Sequence, residues 1–203
     1  MRKFLKRITA CALAALTIWS IGVVRDKREL QKNLIRLHVV AASDSAQDQT
    51  LKLRVRDAVV CSFQNDIKKL TGAKQAKAYL QDNLPKIEAL ANRVLLESGC
   101  DDKATVSLQQ EAFTTRDYDT FTLPAGIYEA LRITIGAGEG HNWWCVVFPA
   151  LCVGATVSEF EETAQCAGMN TSLTGALAGE EPYEARFLVL DALGRLENFL
   201  HKG

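Results

Sequence analysis

Residues 34–60 read LIRLHVVAASDSAQDQTLKLRVRDAVV, and they encode a strand, a cap and a helix in succession. Leu34 to Ala41 alternates weakly and is rich in β-branched residues, the pattern of a strand in a packed sheet. Ser43, Asp44 and Ser45 follow, and each side-chain oxygen can accept from the free N–H groups of a helix start. Asp48 adds negative charge in the first turn, where the helix dipole favours it. From Ala46 to Leu70, the residues Leu51, Val55, Ala58, Val59, Ser62, Phe63, Ile67 and Leu70 recur at steps of three and four, so they share one face. Lys52, Arg56, Asp66 and Lys69 fall off that face.

Toward the C-terminus, Thr71-Gly72 stops this helix and a second one is expected over residues 73–98, with Ala76, Leu80, Leu84, Ile87, Leu90, Ala91 and Val94 in phase. Pro85 should kink or split it, and Gly99 ends it. A β-rich half comes next. Ala104 to Phe113 alternates, Tyr118 to Leu123 and Tyr128 to Ile135 are further strand segments, and Trp143 to Phe148 is almost wholly apolar. The glycines between 136 and 142 read as a long hairpin connection that uses positive φ. Residues 154–182 have little pattern and read as a surface excursion. An amphipathic helix over 183–201 closes the chain, with Phe187, Leu190, Leu193, Leu196 and Leu200 on its face. This order gives the α+β class: an antiparallel sheet with helices packed on one face and a C-terminal amphipathic helix.

Toward the N-terminus, Arg2, Lys3, Lys6 and Arg7 precede an uncharged run from Ile8 to Val24. A basic segment followed by an apolar one is the form of an export signal or N-terminal anchor. Seventeen helical residues span about 26 Å, slightly short of a hydrocarbon core of ~30 Å. The flanking cations hold the N-terminus in the cytoplasm, which places the rest outside. The expected organisation is therefore a signal peptide or anchor over 1–24, with membrane association through 8–24, a polar tether over 25–33, and one domain over 34–203.

Of 24 Lys+Arg, four lie in residues 1–24, where none of the 24 Asp+Glu do, so the remaining chain has a net charge of −4. A mildly acidic domain carries no electrostatic footprint for nucleic acid. The six cysteines (Cys11, Cys61, Cys100, Cys145, Cys152 and Cys166) form no CxxC pair, and no metal or cofactor is expected. Cys145 and Cys152 bracket CVVFPALC. On a straight strand their Cα atoms would lie ~23 Å apart, whereas a disulfide requires ~6 Å, so a bond demands a turn near Pro149-Ala150. Such a bond persists outside the cytoplasm. Two alternatives compete with it: a pair of free thiols, and a nucleophilic Cys145 assisted by a histidine, with His38 the one within reach if the two strands are neighbours. Gly136-Ala137-Gly138-Glu139-Gly140 is not a phosphate loop, because a strand and not a helix follows it. Trp143 and Trp144 point to opposite sides of a strand, and the outward one is a candidate partner contact.

Two stretches, residues 34–60 and residues 123–152 (LPAGIYEALRITIGAGEGHNWWCVVFPALC), resemble the stage II sporulation protein R family. The spacings RxHVxAxSDSxxDQxLKLxVRDAV and GxGxGHNWWCVxFPxLC carry the likeness, which extends to Glu184, Arg186 and Phe187 of the last helix. The resemblance implies a protein made in the forespore and exported into the space between two membranes. There it activates a membrane aspartic protease of the mother cell, which cleaves the precursor of the early mother-cell sigma factor. Such a protein is a signal and not an enzyme. Asp44, Ser45, Asp48, Arg54, Arg56, Asp57, His141, Asn142 and Trp144 are the candidate contacts with that protease. The rival reading is an extracytoplasmic cysteine-dependent peptidase or wall hydrolase built on Cys145 and a histidine.

Overall fold

The computed structural model describes residues 2–152, 157–179 and 184–201. Strand β1 (Ile35–Val40) follows a long helix α1 (Arg2–Asn33) and leads into α2 (Ala46–Ile67) and α3 (Ala73–Glu97). Then come β2 (Ala104–Phe113), a small hairpin of β3 (Arg116–Asp117) and β4 (Thr122–Leu123), β5 (Gly126–Ile135) and β6 (Asn142–Phe148). Helices α4 (Val157–Cys166), α5 (Thr171–Ala178) and α6 (Glu184–His201) complete the chain.

The main sheet has the order β2-β5-β1-β6. Its outer pairings, β2 with β5 and β1 with β6, are antiparallel, and the central pairing of β1 with β5 is parallel. A parallel pair needs a long crossover, and residues 41–125 supply it. The α+β class and the mostly antiparallel sheet agree with the sequence reading. The expected hairpin between β5 and β6 does not form, because β1 lies between those strands. Residues 136–141 instead arch over the end of β1, where Gly140 N–H donates to the Ala41 carbonyl at 3.0 Å and Glu139 N–H to that of Ala42 at 3.2 Å. Gly136 and Gly138 do take the expected positive φ, 54° and 66°.

Every side chain of β1 is buried, so both faces of the sheet need cover. On one face Ile35, Leu37, Val39, Leu131, Ile133 and Cys145 pack under Leu51, Val55 and Val59 of α2 and Ala76, Leu80, Ile87, Ala91 and Leu95 of α3. Pro85 lies within α3, which remains one helix and is not split. On the other face Tyr128, Ala130 and Val146 pack under Val23 and Leu30 of α1, Phe160 and Ala164 of α4, Leu173 and Leu177 of α5, and Leu190 of α6. Helices therefore cover both faces and not one.

Two segments differ from the sequence reading for the same reason. Residues 25–33 are the last turns of α1 and not a tether. Val23, Asp26, Leu30 and Leu34 are buried, and their steps of three and four make one face that the surrounding charges disguise. Within 154–182, α4 and α5 bury Phe160, Ala164, Leu173 and Leu177. That stretch is a second-face layer and not a surface excursion; residues 154–156 and 180–182 of it lie outside the described residues.

Helix α6 docks by a close backbone crossing. Asp191 accepts from Ala125 N–H at 2.8 Å, and a Cβ on Gly194 would overlap the Ala125 carbonyl. Leu190 is buried and Phe187 and Leu193 half-buried, whereas Leu196 and Leu200, expected on the buried face, are 55% and 69% exposed. Alanine in place of glycine stabilises an isolated helix by about 1 kcal/mol, but overpacking against backbone costs up to ~3 kcal/mol because no side-chain rotation relieves it. Gly194→Ala should therefore destabilise the protein by about 2 kcal/mol, lowering the thermal midpoint by roughly 5 °C at this size; differential scanning calorimetry reads the change.

Candidate functional site

Four of the residues singled out in the sequence, Asp44, Ser45, Asp48 and His141, meet where β1 ends, α2 begins and the 136–141 arch crosses them. Ser45 caps α2, accepting from Asp48 N–H at 3.1 Å. The Ser43 hydroxyl donates to the Asp48 carboxylate and accepts from Ser45 N–H at 3.1 Å. Asp44 is left to reach the arch: it accepts from His141 N–H at 2.6 Å and also bonds His141 Nδ1. The His141 side-chain bond, followed by its backbone N–H, holds the Asp44 carboxyl below the usual carboxylate range. Both side chains are largely exposed, so solvent screens the pair. Gly140 is required here because a Cβ would strike the Ser43 carbonyl.

Lys52 gives the arch its buried anchor. The sequence places it off the apolar face, yet it is 5% exposed. Its ammonium donates to the His141 carbonyl at 2.9 Å and to Gln49 Oε1, while Gln49 Nε2 donates to the Ser43 carbonyl at 2.9 Å. Burial pushes the Lys52 pKa below its ordinary range, and Asp44 pulls it back up. The sequence signal for Lys52 is its place one turn after Asp48 on a helix whose start is crossed by another chain segment.

Arg56 lies over the Trp143 ring at 4.2 Å and pairs with Asp57 at 2.6 Å. Trp143, 39% exposed, is thus the more open of the two tryptophans, and not Trp144, the candidate contact that the sequence suggests. Arg54 is not brought to the arch; it donates to Ser98 Oγ at the end of α3, at 3.3 Å.

Trp144 and Asn142 face the other side of the sheet. Register pairs His38 with Trp144 and Leu37 with Cys145, so His38 and Cys145 project from opposite faces. His38 Nδ1 bonds Glu111 at 2.6 Å and Nε2 bonds Asn142 Oδ1 at 2.8 Å, and the ring stacks on Trp144 at 5.5 Å. Arg116 covers the far side of that indole at 3.6 Å. Glu111 also accepts from Arg132 at 3.0 Å and Gln109 at 2.7 Å. Glu111, Arg132 and Arg116 were not singled out in the sequence; an acidic residue inside a strand opposite a histidine-bearing one was the available signal.

The peptidase alternative fails on this geometry. Cys145 and Cys152 form a disulfide across a Cα–Cα distance of 5.4 Å, with the chain turning at Pro149-Ala150. Both nitrogens of His38 are engaged, on the face away from the sulfur, and His141 is tied to Asp44. Among the described residues, no group of three or more His, Cys, Asp or Glu side chains is gathered to hold a metal.

The family described as Stage II sporulation protein R (spore_II_R) matches residues 31–158, from the end of α1 to the start of α4. The chain belongs to the stage II sporulation protein R family. It is 40% identical over 133 residues to "Stage II sporulation protein R" of Bacillus subtilis (strain 168), a match covering 63% of this chain and 59% of that relative. No solved structure matches. The family is one of sporulation proteins. Both sequence blocks that carry the resemblance lie in the matched range, and together they build β1, the cap, the arch and β6.

Burial raises the Glu111 pKa, but hydrogen bonds from His38 and Arg132 outweigh it and bring it from 4.5 down to about 2. A carboxyl depressed in the folded state stabilises the fold above its unfolded pKa, and that contribution is lost as pH falls through the folded one. The protein should therefore lose on the order of 3 kcal/mol of stability from this group between about pH 4.5 and pH 2. Glu111→Gln, which lacks the titration, should show a flatter acid limb in urea midpoints measured across that range.

Proposed function

We propose that this chain is an exported intercellular signal of sporulation: made in the forespore, it acts in the space between forespore and mother-cell membranes, where it binds and activates a mother-cell membrane aspartic protease that cleaves the sigma-factor precursor. The observation that carries the reading is an export-type helix leading directly into a domain of this sporulation family. Residues 6–33 include a helical window of mean hydropathy 1.7, long and apolar enough to cross a membrane. Its first part is exposed, with Leu13, Ile18 and Ile21 each at least 62% accessible, as suits a segment whose neighbour is lipid.

The arch supports a recognition role. Asp44 and His141 hold a rigid, polar, exposed corner, and beside it Arg56, Asp57 and Trp143 offer an aromatic ring framed by charge, the composition that binding hot spots favour. Arg54 extends this surface along α2. Ser45 and Asp48 act by fixing the cap, and Asn142 and Trp144 by locking β6 to His38. Activation requires that the signal bind the active state of the protease better than the idle one.

Deleting residues 1–24 while the remaining chain is still made should leave the precursor uncut, read by immunoblot of sporulating cells. Normal processing in that strain would contradict the proposal.

A further inference from the structure

Strand β6 is an edge of the main sheet, and among the described residues no further strand pairs with its outer side. Antiparallel pairing turns the N–H and C=O of alternate edge residues away from the partner strand. The Val146 carbonyl is one of those turned outward, since it accepts from Leu151 N–H at 3.3 Å. By alternation Trp144 and Asn142 turn theirs outward too. The loop closed by the Cys145–Cys152 disulfide covers the edge at Val146 and stops there. Beyond it lies a groove of about 420 Å³, with residues 142–145 on one wall and the β3–β4 hairpin, residues 116–121, on the other.

The groove presents both donors and acceptors. Arg116 Nε is buried and has no hydrogen-bond partner among the described residues, although its guanidinium stacks on Trp144. The Tyr118 hydroxyl accepts from the buried Arg36 at 2.8 Å, which leaves its own proton to be donated elsewhere. The Trp144 N–H is a third donor, and its carbonyl is the paired acceptor. Outward groups on Asn142 and Trp144 recur at ~6.8 Å, the two-residue period of an extended chain. Asp117 and Asp119 add an acidic rim.

We infer that this groove receives an extended peptide segment, which adds to β6 as a fifth strand pairing with Asn142 and Trp144. Its carbonyls meet Arg116 and Tyr118, and a basic side chain lies against Asp117 and Asp119. Main-chain pairing supplies affinity and the walls supply selection, as in other strand additions. Resting on the proposed function, the occupant is an extracytoplasmic segment of the membrane protease, free of proline where it pairs with Trp144.

Hydrogen exchange on the full-length protein, alone and with the protease reconstituted in vesicles, tests this. Alone, the Trp144 and Asn142 amides should exchange fast for a strand; in the complex both should slow at least tenfold. Thr120→Trp, which fills the hairpin wall, should weaken the complex at least tenfold while the thermal midpoint holds. A complex that forms with both amides unchanged overturns strand addition and leaves the signalling proposal standing. Failure to form any complex overturns the signalling proposal, and this inference with it. Protection that grows with the protein's own concentration, without protease, assigns the edge to self-pairing and overturns the inference.

Discussion

Strand β1 has no solvent-facing side. Its six residues run through the sheet between β5 and β6, with all six side chains buried, and two of them are Arg36 and His38. Burying each of the aliphatic four is worth roughly 1.5–3 kcal/mol, which fixes the strand; the two polar residues then have to be satisfied where they fall. His38 is satisfied by Glu111 and Asn142. Arg36 is held only in part, by the Tyr118 hydroxyl and by the Phe113 ring 4.1 Å away, while its Nε and Nη1 have no hydrogen-bond partner among the described residues. One strand thus determines which residues of β2, β6 and the small hairpin must come to its second face. Because β1 separates β5 from β6, the link between them must cross the strand's end, and that crossing creates the polar corner of Asp44, Lys52 and His141.

Much of this is legible in the sequence where a single element carries its own signal. Ser45 caps α2 as its position suggests, and Leu51, Val55 and Val59 face the sheet. The Cys145–Cys152 bond follows from a turn at Pro149. What was not legible depends on which strand neighbours which. Periodicity shows that β5 and β6 are strands, but not that β1 separates them, so the arch reads as a hairpin. Lys52 looks solvated because its partner is a carbonyl 89 residues away. Trp143 and Trp144 are symmetric in sequence; the second is half-buried against His38 and Arg116, and the first is left more open beside Arg56.

The way α1 meets the domain bears on how the proposed signal would be presented. Asp26, 1% exposed, pairs with Arg186 at the start of α6, and Lys27 pairs with Glu197 at 2.9 Å. Leu30 and Leu34 then run into the second-face core. A helix clamped this way gives the domain a fixed pose relative to the segment before it, unlike a flexible tether, which would let the domain rotate freely. Removing one partner of the Asp26–Arg186 pair would strand a buried charge, so this junction is built for rigidity. In the proposed role, such a pose would present the arch and the β6 edge to the partner in one fixed orientation.

The account rests on recognition, and not chemistry, passing the message between compartments. The most direct measurement adds purified, disulfide-intact protein to the outer side of vesicles that carry the protease in their membrane and the sigma-factor precursor inside, and follows precursor cleavage over time. Cleavage that starts on addition and needs the protease is the predicted result. A precursor that stays intact while the protein is bound to the protease, or that is cleaved when the protease is omitted, would contradict it.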